Sequence, residues 1–311
     1  MRRQETSITK TSPFAPLRIT IPIGRIVKWP NVLCQQTSAD MMVKGIFLTP
    51  LVALLFVLPV RSEPPANTNN QFRVCADPNN LPYSNQKLEG FENKLAALLA
   101  KELGQEVTYT WWPQRRGFIR NTLSAGRCDV IMGIPVGVDA VLTTLPYYRS
   151  AYAFVSPKTA NYNIMSFDDP RLRSLKIGVH LIGDDYANSP PAHILSAKGI
   201  VKNVVGYSIF GNYGEDSPPG KIIRAVADGD INIAIVWGPI AGYFSRQQSV
   251  PLTVVPVPAE ESSPSLPLSY SIALGVRRGD EPLREKLNDV LNRKSAEVKQ
   301  ILTEYGVPLI Q

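Results

Sequence analysis

A regular alternation of strand-like and helix-like segments between Val74 and Tyr148 constrains this chain more than any other feature. Short apolar runs typical of strands start at Val74, Val107 and Asp129. Leucines spaced three and four residues apart separate the first two runs, and they predict an amphipathic helix that ends at Gly104. This alternation predicts a parallel sheet whose ligand-facing loops lie at the carboxyl ends of the strands.

The same alternation continues after Tyr148 and predicts further strands that start near Ala151, Lys176, Asn203, Asn232, Leu252 and Tyr270. Two crossings between units, near residues 156–160 and 258–266, predict an α/β clamshell in which the second lobe is inserted in the first. Lobe 1 is expected to comprise residues 70–157 plus 262–311, and lobe 2 residues 158–261.

Two further helices are predicted from their apolar spacing. One contains Phe118, Ile119 and Leu123 and precedes the third strand. The other is a single C-terminal helix capped by Asp280 with Pro282 in its first turn. Its buried face is expected to carry Leu283, Leu287, Val290, Leu291, Val298 and Ile301.

The positive charge of the chain belongs to its N-terminal segment. Residues 1–61 contain eight Lys/Arg and two Asp/Glu, whereas the remaining residues contain 25 and 24. Nucleic-acid binding therefore loses its main support. Residues 46–60 carry no charge and have the length of a signal-peptide core, which is short for a membrane span. We interpret residues 41–62 as a signal peptide and residues 1–40 as a leader upstream of the true start. An uncleaved N-terminal anchor is the alternative, and after cleavage no stable membrane span is expected.

Two cysteines, Cys75 and Cys128, follow the predicted signal peptide. An even pair in an oxidising compartment favours a disulfide. If the first three strands are ordered 2-1-3, the strands that carry these residues are neighbours, which makes the bond feasible. Two buried free thiols are the alternative.

Motifs of catalysis and metal binding are sparse. The two histidines, His180 and His193, are thirteen residues apart without an H-E-x-x-H pattern. No G-x-S-x-G occurs, and the loop that ends at Gly220-Lys221 departs from a phosphate loop because Ile222 replaces the Ser/Thr. The sequence therefore predicts no catalytic residue, no metal site and no cofactor, although enzymes do occur on the predicted fold.

Residues 111–123 contain two tryptophans and three arginines where the fold needs only a strand end, a loop and a helix. These side chains could stack on a planar ligand or pair with an anionic one. Alternatively, the apolar residues are core and the arginines are solvated.

The order of strands and helices in residues 74–148, and the turns between them, resemble the first lobe of type II periplasmic solute-binding proteins. Several motifs in both lobes resemble a narrower family, the quinoprotein-dehydrogenase-associated binding proteins of the MoxJ/XoxJ type, from methanol-oxidation gene clusters. The motifs that carry this resemblance, over roughly residues 72–305, are residues 75–82, 112–118, 143–150, 177–180, 183–188, 190–193 and 236–244.

This resemblance implies a non-catalytic periplasmic protein that assists a pyrroloquinoline-quinone (PQQ)-dependent methanol or alcohol dehydrogenase, together with its cytochrome c as a further candidate partner. One alternative is a receptor that delivers a small polar solute to an ABC importer. Another is a dehydratase-like enzyme on the same fold.

The ligand or partner cleft is expected to draw on side chains at the strand ends of both lobes: Asp77, Asn79, Asn80, Tyr83, Glu92, Trp112, Arg115, Arg116, Pro135, Tyr147, Tyr148, Arg149, Asp184, Asp185, Trp237 and Pro239. Amino-acid receptors of this fold typically place an arginine shortly after the third strand and an aspartate after the corresponding second-lobe strand. Here residues 133–139 offer no arginine, and Trp237 takes the place of the aspartate. Standard amino acids are therefore not expected as ligands.

Overall fold

The computed structural model describes residues 70–182, 188–209, 213–262 and 265–311. The predicted leader and signal peptide lie outside these ranges, as do Asp184 and Asp185. Within the ranges, the strands are β1 (Gln71–Ala76), β2 (Asn79–Asn80), β3 (Ser84–Asn85), β4 (Glu106–Trp111), β5 (Val130–Pro135), β6 (Leu142–Thr143), β7 (Tyr148–Pro157), β8 (Ile177–Leu181), β9 (Val204–Ser208), β10 (Ile233–Trp237), β11 (Leu252–Pro256) and β12 (Ser269–Val276). The α-helices are α1 (Phe91–Leu103), α2 (Phe118–Asn121), α3 (Pro190–Ala197), α4 (Lys221–Ala227), α5 (Gly238–Ser245), α6 (Glu281–Arg293) and α7 (Ser295–Glu304).

The main sheet has the strand order β4-β1-β5-β12-β7-β10-β8-β9, with β11 also paired to β7 and β6 to β12. Strand β1 lies between β4 and β5 and is parallel to both, which confirms the predicted 2-1-3 order. Strand β7 joins the two parts of the sheet. Its residues up to Ala151 pair with β12, and from Tyr152 it pairs with β10.

Separate apolar cores lie on the two sides of this junction. The first is built from β1, β5, β12, α1, α6 and α7 and contains Phe72, Phe91 and Leu287. The other side has two clusters, one around α4 and α5 and one around β8 and α3. Both sides are therefore α/β units with cores of their own, while the predicted lobe boundaries stay a prediction.

Helix α1 ends where its sequence indicates. Gly104 has a φ of 65° and donates its backbone N–H to carbonyl oxygens of the last turn. This left-handed conformation favours glycine because other residues carry a Cβ that clashes there. Leu95 and Leu99 are fully buried against the sheet, so the predicted apolar face of the helix is confirmed.

The C-terminal prediction of one continuous helix was wrong. The chain forms α6 and α7 with a break at Lys294, whose φ and ψ are −107° and 17°. Leu287 in α6 and Val298 in α7 enter the same core, so the apolar spacing runs through the break and conceals it. Asp280 occupies the N-cap position without a side-chain cap hydrogen bond, and its carboxylate lies 3.6 Å from Arg277 instead.

Helix α2 is shorter than its apolar spacing predicts. It is a single turn that ends before Leu123, although Phe118 and Leu123 are both buried. They pack around the disulfide between Cys75 and Cys128, whose Cα atoms are 5.4 Å apart, as predicted. None of the α-helices in the described ranges is long and apolar enough to span a membrane.

Candidate functional site

A cavity of about 520 Å³ lies where β7, β12 and the end of β10 meet α1. Its walls are mainly aromatic and aliphatic, with three polar side chains among them. The described residues that line it are Asn80, Tyr83, Glu92, Gln114, Gly133, Pro135, Tyr148, Tyr152, Ile182, Ile209, Trp237, Ile240, Tyr270 and Ile272. We call it the aromatic cavity.

Three adjacent strands supply the rings of one wall. Trp237 pairs in register with Tyr152, and their ring centroids are 5.5 Å apart at an interplanar angle of 66°. The ring centroid of Tyr270 lies 5.6 Å from that of Trp237, at an interplanar angle of 72°. Residues two or four apart on a strand share a face, so Tyr148 and Tyr152 of β7 both reach the cavity.

Glu92 is the acidic side chain of the cavity wall. It lies in the first turn of α1 and is only 8% exposed. Its Oε1 atom rests against Gly133, where a Cβ would come within 2.2 Å of it, so the carboxyl group occupies the space that a side chain would need. Burial, together with the nearby negative charge of Asp77, raises the pKa of Glu92 from 4.5 to about 8.

Asp77, which is almost fully buried, connects the two sides of the molecule next to this cavity. Its carboxylate accepts hydrogen bonds from the backbone N–H of Asn79 at 2.8 Å and from that of Gln114 at 2.6 Å. The hydroxyl of Tyr213 donates a third, at 2.7 Å, from the other side of the cleft. The Asn79 amide donates to the Glu215 carbonyl at 2.8 Å, and the Arg115 guanidinium lies 5.1 Å from the centre of the Tyr213 ring. We call this set the Asp77–Tyr213 latch.

The structure brings only some of the predicted cleft residues to the aromatic cavity. Asn80, Tyr83, Glu92, Pro135, Tyr148 and Trp237 line it. Asp77, Asn79 and Arg115 belong to the latch beside it. Their roles in binding remain predictions.

The other predicted residues in the described ranges make contacts outside the cavity wall. Trp112 packs against Arg127, and the Tyr147 hydroxyl donates to the Met132 carbonyl at 2.8 Å. Arg149 donates to the carbonyl of Gln311 at 2.7 Å and so holds the C-terminus. Pro239 is buried in the first turn of α5, and Arg116 is solvent-exposed.

Sequence reasoning missed several residues of the site. Tyr152 and Tyr270 share a strand face with Tyr148 and Ile272, so the period of two along β7 and β12 was the signal that could have found them. Tyr213 lies 136 residues after Asp77 in a polar loop, and no local pattern indicates that contact.

A second cavity of about 500 Å³ adjoins the first and shares Gln114, Gly133 and Pro135 with it. Its floor is formed by apolar residues of α2 and β5, including Phe118 and Ile131, and Arg115 and Arg120 lie at its wall. Arg115 and Arg120 of the tryptophan–arginine segment are thus placed at this second cavity, whereas the described wall of the aromatic cavity contains no Arg, Lys or His.

The described part of the chain contains no group of three His, Cys, Asp or Glu side chains placed to hold a metal ion. The described wall of the aromatic cavity offers aliphatic side chains, an indole ring, four tyrosine side chains, two amides and one carboxyl group. Such a wall can bind and orient a small molecule.

Residues 72–308 match the family described as bacterial extracellular solute-binding proteins, family 3. The chain is similar to protein MoxJ of Paracoccus denitrificans, with 31% identity over 265 residues that cover 81% of this chain and 94% of the relative. It is also similar to the crystal structure of periplasmic binding protein XoxJ from Methylobacterium extorquens AM1, with 36% identity, a TM-score of 0.64 and coverage of 77% and 99%.

The crystal structure of MxaJ from Methlophaga aminisulfidivorans MPT matches with 27% identity, a TM-score of 0.68 and coverage of 77% of this chain and 100% of that one. These matches confirm the predicted two-lobed α/β fold of type II periplasmic binding proteins.

Proposed function

Because this chain belongs to the family 3 bacterial extracellular solute-binding proteins and is of the MoxJ/XoxJ type, we propose that it is a non-catalytic periplasmic accessory of a PQQ-dependent methanol or alcohol dehydrogenase. The similarity to MoxJ and XoxJ along nearly their whole lengths carries this proposal. The accessory role is in maturation or activation of the dehydrogenase. Export to the periplasm fits the family description, and residues 41–62 are the proposed signal peptide.

The cleft surface supports contact with a protein. Tyrosine, tryptophan and arginine are the residue types most enriched among interface hot spots. Trp237 lines the aromatic cavity, and Arg115 and Arg116 are exposed on the loop that follows β4. A two-lobed protein can open and close around a segment of its partner.

We expect deletion of the gene to lower PQQ-dependent alcohol dehydrogenase activity in periplasmic extracts, while growth on other carbon sources stays normal. Wild-type protein should restore the activity, and the Trp237→Ala and Arg115→Ala variants should restore it only in part because they remove side chains of the proposed contact surface. The measurement is dye-linked activity at equal protein levels.

The matched control for that experiment is Arg278→Ala. Arg278 is exposed and lies just after the C-terminal end of β12, whereas Tyr270 lies near the N-terminal end of that strand. It should restore full activity. Complete restoration by folded Trp237→Ala and Arg115→Ala proteins would mean that the cleft is not the contact surface, and unchanged activity in the deletion strain would contradict the accessory role itself.

A receptor for an importer is the second candidate, because solute binding is the activity that the family description names. The wall of the aromatic cavity is a poor fit for amino acids, the solutes that receptors of this fold most commonly bind. An α-carboxylate needs a cationic partner when it is buried, and none of the described wall residues is cationic.

We therefore expect the twenty standard L-amino acids to leave the thermal midpoint of the protein unchanged at millimolar concentration. At a millimolar concentration, a ligand with a micromolar Kd would be present at ~1,000 times its Kd. It would stabilise the folded state by about 4 kcal/mol. Differential scanning fluorimetry measures this shift. A clear rise with any of the twenty would favour the importer receptor instead.

A further inference from the structure

The aromatic cavity contains an acid that the rest of the protein does not explain. Glu92 is 8% exposed and lines the cavity, and its carboxyl group takes part in none of the side-chain hydrogen bonds or ion pairs found among the described residues. Ionising a carboxyl group at a largely apolar wall is costly, and a cation bound in the cavity would offset that cost. We propose that the aromatic cavity binds a small organic cation with an alkylated ammonium group, which pairs with Glu92 and packs against the surrounding rings. This inference goes beyond the proposed function and does not depend on it.

The arrangement of the rings fits such a ligand. Trp237 makes steep angles of 66° and 72° with Tyr152 and Tyr270, so the three rings are not stacked in parallel, and all three residues line the cavity. Tyr83 and Tyr148 continue the wall toward Glu92. A cation in a box of this kind meets the negative faces of more than one ring, which is how proteins recognise quaternary ammonium groups.

The described wall of the aromatic cavity carries an acidic side chain and no basic one, and Arg115 and Arg120 lie at the adjoining cavity instead. Glu92 lies in its wall and the Asp77 carboxylate lies next to it, close enough to act on the pKa of Glu92. The described wall contains no cationic side chain that could hold a carboxylate or a phosphate. A ligand with several carboxylates would bury those charges unpaired, whereas an ammonium group would neutralise the charge of the site.

Gly133 leaves room for the Glu92 side chain at the cavity wall. A Cβ at residue 133 would lie 2.2 Å from Oε1 of Glu92. The backbone of β5 therefore leaves the space in which the carboxyl group rests at the cavity wall.

Glu92 is also expected to make binding depend on pH. The titratable groups around it are Asp77 after β1, Tyr83 in the following turn, Tyr109 on β4, and Tyr147 and Tyr148 at the start of β7, while β5 beside it carries none. Burial raises the pKa of all four tyrosines, which keeps them neutral at pH 6–8.5. The response in this range therefore belongs to Glu92, whose pKa is about 8.

The direction of this dependence follows from proton linkage. A cation binds the ionised form of Glu92, so below pH 8 binding must release a proton. Its apparent affinity then rises with pH, by up to about tenfold per pH unit, and levels off near the pKa. A neutral ligand that accepts a hydrogen bond from the protonated acid would show the opposite trend.

The probe is choline, and its uncharged isostere 3,3-dimethylbutan-1-ol is the control ligand. Isothermal titration calorimetry of the purified full chain at pH 6.5 and pH 8 measures both. We expect choline to bind at least about tenfold more tightly than the isostere, and to gain at least about fivefold in affinity between the two pH values. Tetramethylammonium should bind with the same pH trend.

Two variants separate the role of Glu92 from a general effect of charge. Glu92→Gln keeps the shape of the side chain and should lower choline affinity at pH 8 by about tenfold or more and abolish the pH trend. Glu106→Gln removes an exposed acid at the start of β4 and should change neither.

The proposal would be overturned if neither choline nor tetramethylammonium bound at a probe concentration of roughly 10 mM, or if the isostere bound as tightly as choline. It would also be overturned if choline affinity fell as pH rose, or if a folded Glu92→Gln protein bound choline as tightly as the wild-type protein. Binding of N-acetyl-lysine methylamide in place of choline would overturn the choice of a free small cation, because the cavity would then accept a side chain of a protein.

Discussion

Replacing both Cys75 and Cys128 with alanine is expected to lower the free energy of unfolding by about 4 kcal/mol. The disulfide closes a loop with a sequence separation of 53 residues. In the chain-entropy description, a cross-link of this span removes enough freedom from the unfolded chain to account for about that amount. Urea denaturation followed by tryptophan fluorescence measures the difference.

The wild-type protein denatured in the presence of a reductant is the matched control, because it loses the bond without any change of side chain. It should show nearly the same loss as the double variant. Thiol titration of the denatured, unreduced protein should detect no free thiol at either cysteine. Equal stability of the wild-type and the double variant would mean that the disulfide does not contribute to the folded state.

Replacing Glu92 with glutamine is expected to stabilise the protein at neutral pH by about 3 kcal/mol. Burial raises the pKa of Glu92 from 4.5 to about 8 in the folded state. Between these values the folded protein holds a proton that the unfolded chain releases, so the free energy of unfolding falls as pH rises. Below pH 4.5 both states are protonated, and the penalty disappears. Ionisation of the buried Glu92 carboxyl group lowers the free energy of unfolding by about 1.4 kcal/mol for each pH unit between 4.5 and 7. Glutamine does not ionise, so the variant does not lose this stability.

The decisive quantity is the difference between wild-type and variant as a function of pH. Urea denaturation at pH 5, 6, 7 and 8 should show a gap that widens steadily with pH. Glu106 is exposed, so the free energy of unfolding of Glu106→Gln should change with pH in the same way as that of the wild-type protein. A gap of constant size would show that Glu92 has the same pKa in the folded and unfolded states, and the proposed environment of its carboxyl group would then be wrong.

A stabilising Glu92→Gln variant has a consequence for the binding experiment. If the variant is more stable than the wild-type protein at pH 8, a loss of choline binding cannot result from unfolding. The same substitution therefore separates stability from recognition. An acid that lowers stability at neutral pH is also the kind of residue that is expected at functional sites.

Local patterns in the sequence determined most of the secondary structure. The spacing of the leucines and the glycine that follows them place α1 and its end at Gly104. The apolar runs place β1, β4 and β5, and their parallel order brings Cys75 and Cys128 together. These features depend on residues a few positions apart, or on the rule that neighbouring strands connect through a helix, and so the sequence alone predicts them.

Apolar spacing is a weaker guide to where a helix stops. Leu287 and Val298 enter one core from two helices, and the pattern is the same as for one helix that bends. The break at Lys294 depends on how α6 and α7 pack against the sheet. For the same reason α2 ends after one turn, because packing around the disulfide buries Leu123 without helical geometry.

The site was decided largely by the tertiary structure. Six predicted residues line the aromatic cavity because they stand at strand ends or in the first turn of α1. Tyr152 and Tyr270 reach it because β7 and β12 lie side by side up to the junction between the lobes, and Tyr213 reaches Asp77 across 136 residues of sequence. The pKa of Glu92 depends on burial beneath side chains from several elements. Periodicity records which face of its own element a residue occupies, but only the packed chain determines what lies opposite that face.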